Sequence, residues 1–171
     1  GYHNGNTERG LDGLGMAGNN HAIMDHCSVG WTIDEAFSSR NAHNITLQRT
    51  LISEALNVAD HPNYGSGAAH GYAATIGGDT GSYHHNLLAH NEGRNWSMSG
   101  GLDGGGSYAG HHDMFNNVCY NWGGRSTDGG THQGQFVNNY YKMGPATRQK
   151  SLLNAQLEGT GNGSQSYYVS G

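Results

Sequence analysis

Five short segments of this chain can be laid over one another without gaps, which identifies an internal repeat. One position of each segment is taken as equivalent, and these positions lie 24, 36, 31 and 22 residues apart in succession. The segments are MDHCSVGW, LQRTLIS, HHNLLAHN, FNNVCYNW and VNNYYKMG, and the equivalent positions are Asp25, Arg49, His85, Asn116 and Asn138. Repeats of this length are typical of solenoids, in which each unit packs against its neighbours.

The repeat predicts an all-β fold in which each unit is one coil of a parallel β-helix. The segments are rich in β-branched and aromatic residues, and the chain lacks an extended stretch of helical periodicity. A leucine-rich repeat has a similar length but needs a leucine framework, which is missing here. Residues 1–171 are therefore expected to form a single β-helix domain of five to six coils, in which equivalent residues stack about 4.8 Å apart.

The composition agrees with this fold and excludes some classes of partner. Thirty glycines and two prolines in 171 residues, with 12% charged residues, suit a chain that turns sharply many times. The sequence has no apolar run of about 18 residues, so no membrane span is expected. A net charge of −5 with eight Lys and Arg residues gives no basic patch for a nucleic-acid backbone.

A second column of the repeat predicts an internal asparagine ladder. Asparagine tolerates the left-handed backbone of a tight bend and can hydrogen-bond to its own type in the next coil. A sugar-binding role for the column's asparagines in coils three and four is the alternative interpretation. The column consists of His26, Thr50, Asn86, Asn117 and Asn139.

The two cysteines are expected to be free, packed thiols. Cys27 and Cys119 fall in the first and fourth segments, three coils apart, which corresponds to about 14 Å at the spacing of hydrogen-bonded strands. A disulfide requires Cα atoms within roughly 7 Å of each other.

Each repeated segment is followed by a second strand-like stretch, and these stretches hold most of the chemically versatile residues. In coil order they are GLDGLGM around Asp12, IDEAFSS around Asp34 and Glu35, HGYAATIGG with His70 and Tyr72, GRNWSMSGG around Arg94, and GRSTDGG around Arg125. Stacked in coils, they predict a face with carboxylates at one end and guanidinium groups at the other. Asp34 and Arg94 would lie two coils apart, about 10 Å, and such a face would suit a uronic-acid polymer.

The order of these motifs resembles the pectate lyase superfamily of right-handed parallel β-helices, over roughly residues 10–148. The combination of IMDHCS with HNEGRN at this separation is the most specific part of the resemblance. It implies a secreted, extracellular enzyme that cleaves acidic polysaccharides by calcium-assisted β-elimination. It also implies that the chain is the C-terminal part of the fold, without the family's early coils.

The resemblance implies a set of calcium ligands. The family places a calcium-binding carboxylate thirteen residues before the aspartate of the DHC motif, and here that residue is Asp12. The next coil of the family offers two carboxylates four residues apart. Asp34 matches the first, whereas the second position is Ser38, with Glu35 as a substitute. Calcium takes six to eight oxygen ligands, so waters and substrate would complete the set.

The resemblance also implies that Arg94 is the base that removes the proton at C5 of the sugar. Three accompanying positions depart from the family: its lysine is Tyr72, its second arginine is Ser99 and its proline is Trp96. Arg125, one coil beyond Arg94, could restore part of the missing positive charge. Tyr72, Trp96, Arg125 and His70 are predicted to contact the substrate.

Simpler interpretations of these residues remain open at this point. Asp34 and Glu35 could be solvated acids in a turn, and Arg94 could be a surface arginine paired with Glu92 or Asp103. Asp25 is interpreted as structural, in an ion pair with Arg49 of the next coil.

The histidine pairs His84–His85 and His111–His112 are not expected to chelate an ion. Adjacent residues of a strand point to opposite faces of the sheet, so the two rings of each pair should diverge.

Three functions are compatible with the sequence. The first is a lyase acting on a pectate-like acidic polysaccharide. The second is a non-catalytic glycan-binding β-helix with Trp96, Tyr72 and Tyr108 as stacking platforms. The third is a structural solenoid that associates end to end, which an uncapped first coil would permit.

Overall fold

Three all-parallel β-sheets are visited in the same order in every turn of the chain, which makes the fold a right-handed parallel β-helix. The structure is a computed structural model and describes residues 12–61, 63–99, 110–156 and 164–171. Six strands in the first and second sheets correspond to six coils, so the predicted fold class and coil number are confirmed. The described residues include no helix, and hence none long and apolar enough to cross a membrane.

Each coil contributes one strand to each sheet in turn, the last coil ending in the second sheet. The first sheet consists of β1 (Leu14–Gly15), β4 (Phe37–Ser38), β7 (Ala74–Ile76), β10 (Ser97–Ser99), β13 (Thr127–Gly130) and β16 (Leu153–Ala155). The second consists of β2 (Asn20–Asp25), β5 (His43–Gln48), β8 (Asp79–His84), β11 (His111–Phe115), β14 (Gln133–Val137) and β17 (Ser166–Ser170). The third consists of β3 (Ser28–Gly30), β6 (Leu51–Ser53), β9 (Leu87–Ala89), β12 (Val118–Tyr120) and β15 (Tyr140–Lys142).

The core is a stack of inward-pointing apolar side chains inside the coils. In β5, Ile45 and Leu47 are buried while Thr46 between them is partly exposed, as the period-two alternation of a strand requires. Registered pairing continues this arrangement into a buried column that runs through five coils: Met24, Leu47, Tyr83, Met114 and Phe136. Each fully buried side chain of this size contributes about 1.5 to 3 kcal/mol to folding.

The asparagine ladder lies at the bend between the second and third sheets, as predicted. Asn86, Asn117 and Asn139 occupy one column, and the Oδ1 of each accepts the backbone N–H of the preceding coil at 3.0 Å. Their Nδ2 groups donate to backbone carbonyls of the core strands at 2.8 to 2.9 Å. The asparagines therefore satisfy buried backbone groups at the bend.

The first repeat is shifted by one residue from the sequence alignment. Asp25 pairs with Gln48, so His26 and not Asp25 is equivalent to Arg49. The physical reason is the bend. His26 has a left-handed φ of 53°, and the equivalent residues of the later coils also have left-handed φ values, of 46° to 56°: Arg49, His85, Asn116 and Asn138. The second column consequently begins with Cys27, whose N–H is bound by Thr50 Oγ1 at 3.4 Å. The predicted ion pair between Arg49 and Asp25 is present, at 3.6 Å.

Both cysteines are free, as predicted, but only Cys119 is packed in the core, whereas Cys27 is exposed.

The expectation for the histidine pairs holds for one pair and is wrong for the other. His112 is buried and His111 is exposed, so this pair diverges as the strand geometry requires. In contrast, the Nδ1 atoms of His84 and His85 lie 2.8 Å apart. His85 follows the end of β8 and has a φ of 56°, so the alternation rule does not apply to it.

Candidate functional site

The carboxylates that the sequence predicted as metal ligands converge at the edge of the first sheet. Asp12 precedes β1, and Asp34 and Glu35 precede β4 of the next coil. The backbone N–H of Gly13 donates to the carbonyl of Glu35 at 2.8 Å, which places the two segments side by side. One oxygen of each of the three carboxylates lies within 4.8 Å of the others. These three residues are therefore the set that could hold a divalent cation.

The crowding of these acids raises two of their pKa values. Burial and the neighbouring Glu35 raise the pKa of Asp12 to about 6. Burial, followed by Glu35 and Asp12, raises the pKa of Asp34 to about 8. Because a divalent cation would offset both the burial and the mutual repulsion, this donor set fits a hard, oxygen-seeking ion such as calcium.

Glu35 is a buried acid that is held ionised by several donors. Its Oε1 accepts hydrogen bonds from Arg40 Nη2 at 2.9 Å, from Thr75 Oγ1 at 2.6 Å and from Arg94 Nη1. Burial opposes ionisation, but hydrogen bonds from Asp34 and Thr75 and the charge of Arg94 lower the pKa of Glu35 to about 2. With only 2% of its side chain exposed, Glu35 is not a solvated turn acid.

Asp34 is bound by two histidines of the segment between β6 and β7. Nε2 of His61 lies 3.1 Å from Oδ2 of Asp34, and Nε2 of His70 lies 3.0 Å from Oδ1. The backbone N–H of Glu35 donates to the same Oδ1 at 3.0 Å. His70 was predicted to contact substrate, but its contact with Asp34 leaves only 10% of its side chain exposed. Burial and the charge of Arg94 lower the pKa of His70 to about 4, so the ring is neutral near pH 7.

Arg94 lies on the same face as the acids, but the predicted 10 Å gap is closed. Its backbone carbonyl accepts the N–H of Ala74 in β7, and its guanidinium reaches back across that coil to form an ion pair with Glu35. The suggested pairing with Glu92 is wrong, since Glu92 binds Arg148; Asp103 lies outside the described residues. Nε of Arg94 is buried and finds no hydrogen-bond partner among the described residues.

Tyr72 lies between two arginines, at the position where the family has lysine. Its ring centroid is 4.2 Å from Cζ of Arg94 and 5.6 Å from Cζ of Arg125. Arg125 makes two hydrogen bonds to Asp128, at 2.6 and 2.8 Å, and these raise the pKa of Arg125 above its usual value. A cation over an aromatic face is stabilised by the ring quadrupole, so Tyr72 orients the arginines rather than replacing the charge of a lysine.

The prediction that Trp96 contacts substrate is wrong. The residue is 1% exposed, and its ring packs 5.7 Å from that of Tyr83 in the core. A ring of this size is most stable where it fills the interior of a coil. Ser38, at the family's second carboxylate position, is buried in β4. Tyr108 lies outside the described residues.

Three residues of the site were missed by the sequence interpretation: His61, Arg40 and Tyr64. Tyr64 is 48% exposed, and its ring lies 4.1 Å from His70 and 4.6 Å from His61. For His61 and Tyr64, the long interval of 36 residues between the second and third repeats was the available signal, because an insertion in a solenoid emerges as a loop on one face. Arg40 lies before that interval, and the repeat pattern gave no signal for it.

The chain is similar to fungal proteins named probable pectate lyase C. It is 31% identical to that of Aspergillus fumigatus over 165 residues, which cover 93% of this chain. Identity to the Emericella nidulans protein is 32% over 163 residues, covering 94% of this chain, and identity to the Aspergillus terreus protein is 33% over 146 residues, covering 82%. No family model matches the chain.

These matches cover only part of the relatives. The aligned region makes up 34% of the Aspergillus fumigatus and Emericella nidulans proteins and 30% of the Aspergillus terreus protein. The chain thus spans about one third of the length of the curated relatives it matches. Its three parallel sheets are consistent with a pectate lyase-like fold.

Proposed function

Because this chain belongs to the pectate lyase superfamily, we propose that it acts as a polysaccharide lyase on a polymer containing uronic acid. The observation that carries the proposal is the contact between the two predicted halves of the site. Asp12, Asp34 and Glu35 converge within 4.8 Å, and Arg94 touches the same cluster from two coils away. An acidic polymer would bind where the guanidinium groups of Arg94 and Arg125 flank these carboxylates.

Calcium is the ion that this donor set would hold. The available oxygens are those of Asp12, one lone pair on Oδ2 of Asp34, and Oε2 of Glu35, since Oε1 of Glu35 already accepts three hydrogen bonds. When bound, calcium would supply positive charge that binds the uronate carboxylate and makes the proton at C5 more acidic. The backbone and the buried Glu35 keep the acids together before any ion arrives.

Arg94 is the proposed base, and its ion pair sets a condition on that role. The base takes the C5 proton, and the electron pair of the C5–H bond forms the C4–C5 double bond. The C4–O bond breaks with its electron pair leaving on the oxygen, and that oxygen takes a proton from water. Arginine has an unperturbed pKa above about 12, and the guanidinium of Arg94 is held in an ion pair with Glu35. Arg94 can accept a proton only after its guanidinium leaves Glu35 and approaches the substrate. An alkaline pH would favour the small neutral fraction.

The test is the formation of unsaturated product, which absorbs in the near ultraviolet, from polygalacturonate in the presence of calcium. We expect product with calcium and much less in the presence of a chelator. Product formed equally well with chelator would contradict the calcium requirement, and no product at all would contradict the lyase.

A second candidate function is glycan binding without catalysis. The ion pair of Arg94 with Glu35 favours it, because a paired arginine is a poor base. Binding of polygalacturonate in calorimetry without any unsaturated product would select this function. Secretion and end-to-end association remain predictions from the sequence.

A further inference from the structure

The loop between β6 and β7 sends two histidines onto one carboxylate. His61 and His70 contact opposite oxygens of Asp34, at 3.1 and 3.0 Å. The side chain of His61 is 2% exposed and that of His70 is 10% exposed, so water competes little with either contact. The loop thereby contacts both carboxylate oxygens of Asp34.

The backbone sets the tautomer of His61. The N–H of Asn63 donates to Nδ1 of His61 at 3.1 Å. A neutral imidazole carries a single N–H, so the proton of His61 is on Nε2 and points at Asp34. When a cation is bound, Asp34 is ionised; an ionised carboxylate only accepts hydrogen bonds, and Nε2 of His70, 3.0 Å from Oδ1, is then also a donor to Asp34.

Counting lone pairs shows what Asp34 can still offer to a ligand. Each carboxylate oxygen has about two acceptor positions. Oδ1 accepts from the backbone N–H of Glu35 and from His70, which fills both of its positions. Oδ2 accepts from His61, and one position is open to a cation once Asp34 is ionised and no longer donates to Glu35. Asp34 can consequently bind a cation through Oδ2 alone.

We propose that His61 and His70 are positioning residues that fix Asp34 as a single-oxygen ligand of the cation. The inference rests on the proposed function, in which Asp12, Asp34 and Glu35 hold calcium. Like charges within 4.8 Å repel one another, and an unrestrained Asp34 carboxylate would rotate away from its neighbours. Two neutral donors keep the carboxylate in place without adding positive charge that would repel the cation.

The test is calorimetric titration of calcium into the purified protein and its variants. His61→Leu and His70→Leu remove the donor but keep the apolar volume, and each is expected to weaken calcium binding about 10- to 100-fold, as loss of such outer contacts does in other metal sites. His70→Gln places an amide donor close to the position of Nε2 and should retain most of the affinity. His43→Ala, an exposed histidine at the start of β5, is the control and should bind calcium like the wild type.

Folding of each variant is checked by thermal unfolding in the presence of chelator. If the leucine variants do not fold, His70→Asn replaces them, because its shorter amide stays polar but cannot reach Asp34. Leucine or asparagine variants that fold and bind calcium as tightly as the wild type would overturn the inference. A Gln variant as weak as the Leu variant would overturn it as well.

Failure of the positioning role and failure of the lyase activity give different results. A wild-type protein without calcium affinity, or an Asp34→Ala variant with undiminished affinity, removes the positioning role. Formation of unsaturated product in the same samples would still support the proposed reaction.

Discussion

The asparagine ladder and the carboxylate cluster are parts of one β-helix, yet the buried polar groups of the ladder are fully hydrogen-bonded, whereas those of the cluster are not. In the ladder, Asn117 accepts the N–H of Asn86 and donates to the carbonyl of Tyr83, so every buried group has a partner. In the cluster, burial and neighbouring acids raise the pKa of Asp34 to about 8. The described part of the chain provides no hydrogen-bond partner for Nε of Arg94.

This difference indicates that the asparagine ladder stabilises the fold, whereas the carboxylate cluster serves a chemical function. A column of identical residues repeats one favourable interaction in successive coils, here the three that contain Asn86, Asn117 and Asn139, and its residues can be replaced only at the expense of stability. The cluster combines unlike residues from three coils and leaves charge incompletely compensated. Such sites commonly sacrifice stability for function.

The largest effect is expected at Arg94. Arg94→Lys keeps the charge and the ion pair with Glu35 but loses the planar guanidinium. We expect turnover of polygalacturonate to fall about 10²- to 10⁴-fold, the range for loss of a general base, with the fold intact by circular dichroism. Arg49→Lys, an exposed arginine of the bend, is the matched control. Near-normal turnover of Arg94→Lys would mean that another group removes the proton.

A substitution in the asparagine ladder should have the opposite effect: a large loss of stability and no change in the affinity for calcium. Asn117→Leu strands the buried N–H of Asn86 and the carbonyl of Tyr83. Each unsatisfied group costs about 1 to 3 kcal/mol, so the free energy of unfolding should fall by about 2 to 6 kcal/mol in urea denaturation. The exposed Asn154→Ala in β16 should change little. A stable Asn117→Leu protein would show that the ladder is not a source of stability.

The raised pKa of Asp34 predicts a pH dependence that the ladder cannot produce. Asp34 has a folded pKa of about 8 against an ordinary value of 3.8, so the folded state holds a proton that the unfolded state has released. Stability without metal should therefore fall as pH rises from about 6.5 to 8. His70 and Asp12 do not contribute in this window, since their folded pKa values lie at about 4 and 6 and the ordinary pKa of His70 is 6.5.

Titration of this one group through the window is expected to lower the melting temperature by roughly 3 to 6 °C for a domain of this size. Thermal unfolding in chelator measures it. Asp34→Asn cannot ionise and should show no decrease, and saturating calcium should abolish the decrease in the wild type. A wild-type protein with a flat profile in chelator would contradict the raised pKa.

The smallest effect is expected at Tyr72. Tyr72→Leu removes the aromatic face over Arg94, and a partly exposed cation–π contact contributes about 0.5 to 1 kcal/mol. We expect kcat/KM to fall roughly 2- to 5-fold. Tyr72→Phe keeps the ring and should be close to the wild type. Equal losses in the two variants would assign the role to the phenolic hydroxyl instead.

The amino-acid sequence was sufficient to predict the β-helix coil and the column of stacked asparagines. Repeat spacing, glycine content and the asparagine positions all reflect local requirements of bends and strands, so the ladder and the β-helix could be predicted residue by residue. The error of one residue in the first coil arose because histidine and arginine occupy left-handed bends that usually take asparagine or glycine, at φ values of 53° and 46°.

The contacts between side chains within the site, in contrast, could be read only from the folded structure. Arg94 pairs with Glu35 across 59 positions of sequence, and His61 reaches Asp34 across 27. Trp96 turns inward, although its neighbour Arg94 faces the cluster. Long side chains span one or two coils of about 4.8 Å each. Knowing the column of a residue therefore limits the side chains that it can contact, but does not identify the one that it does contact. That choice depends on burial and on which charges are left uncompensated, and these are properties of the packed coils together.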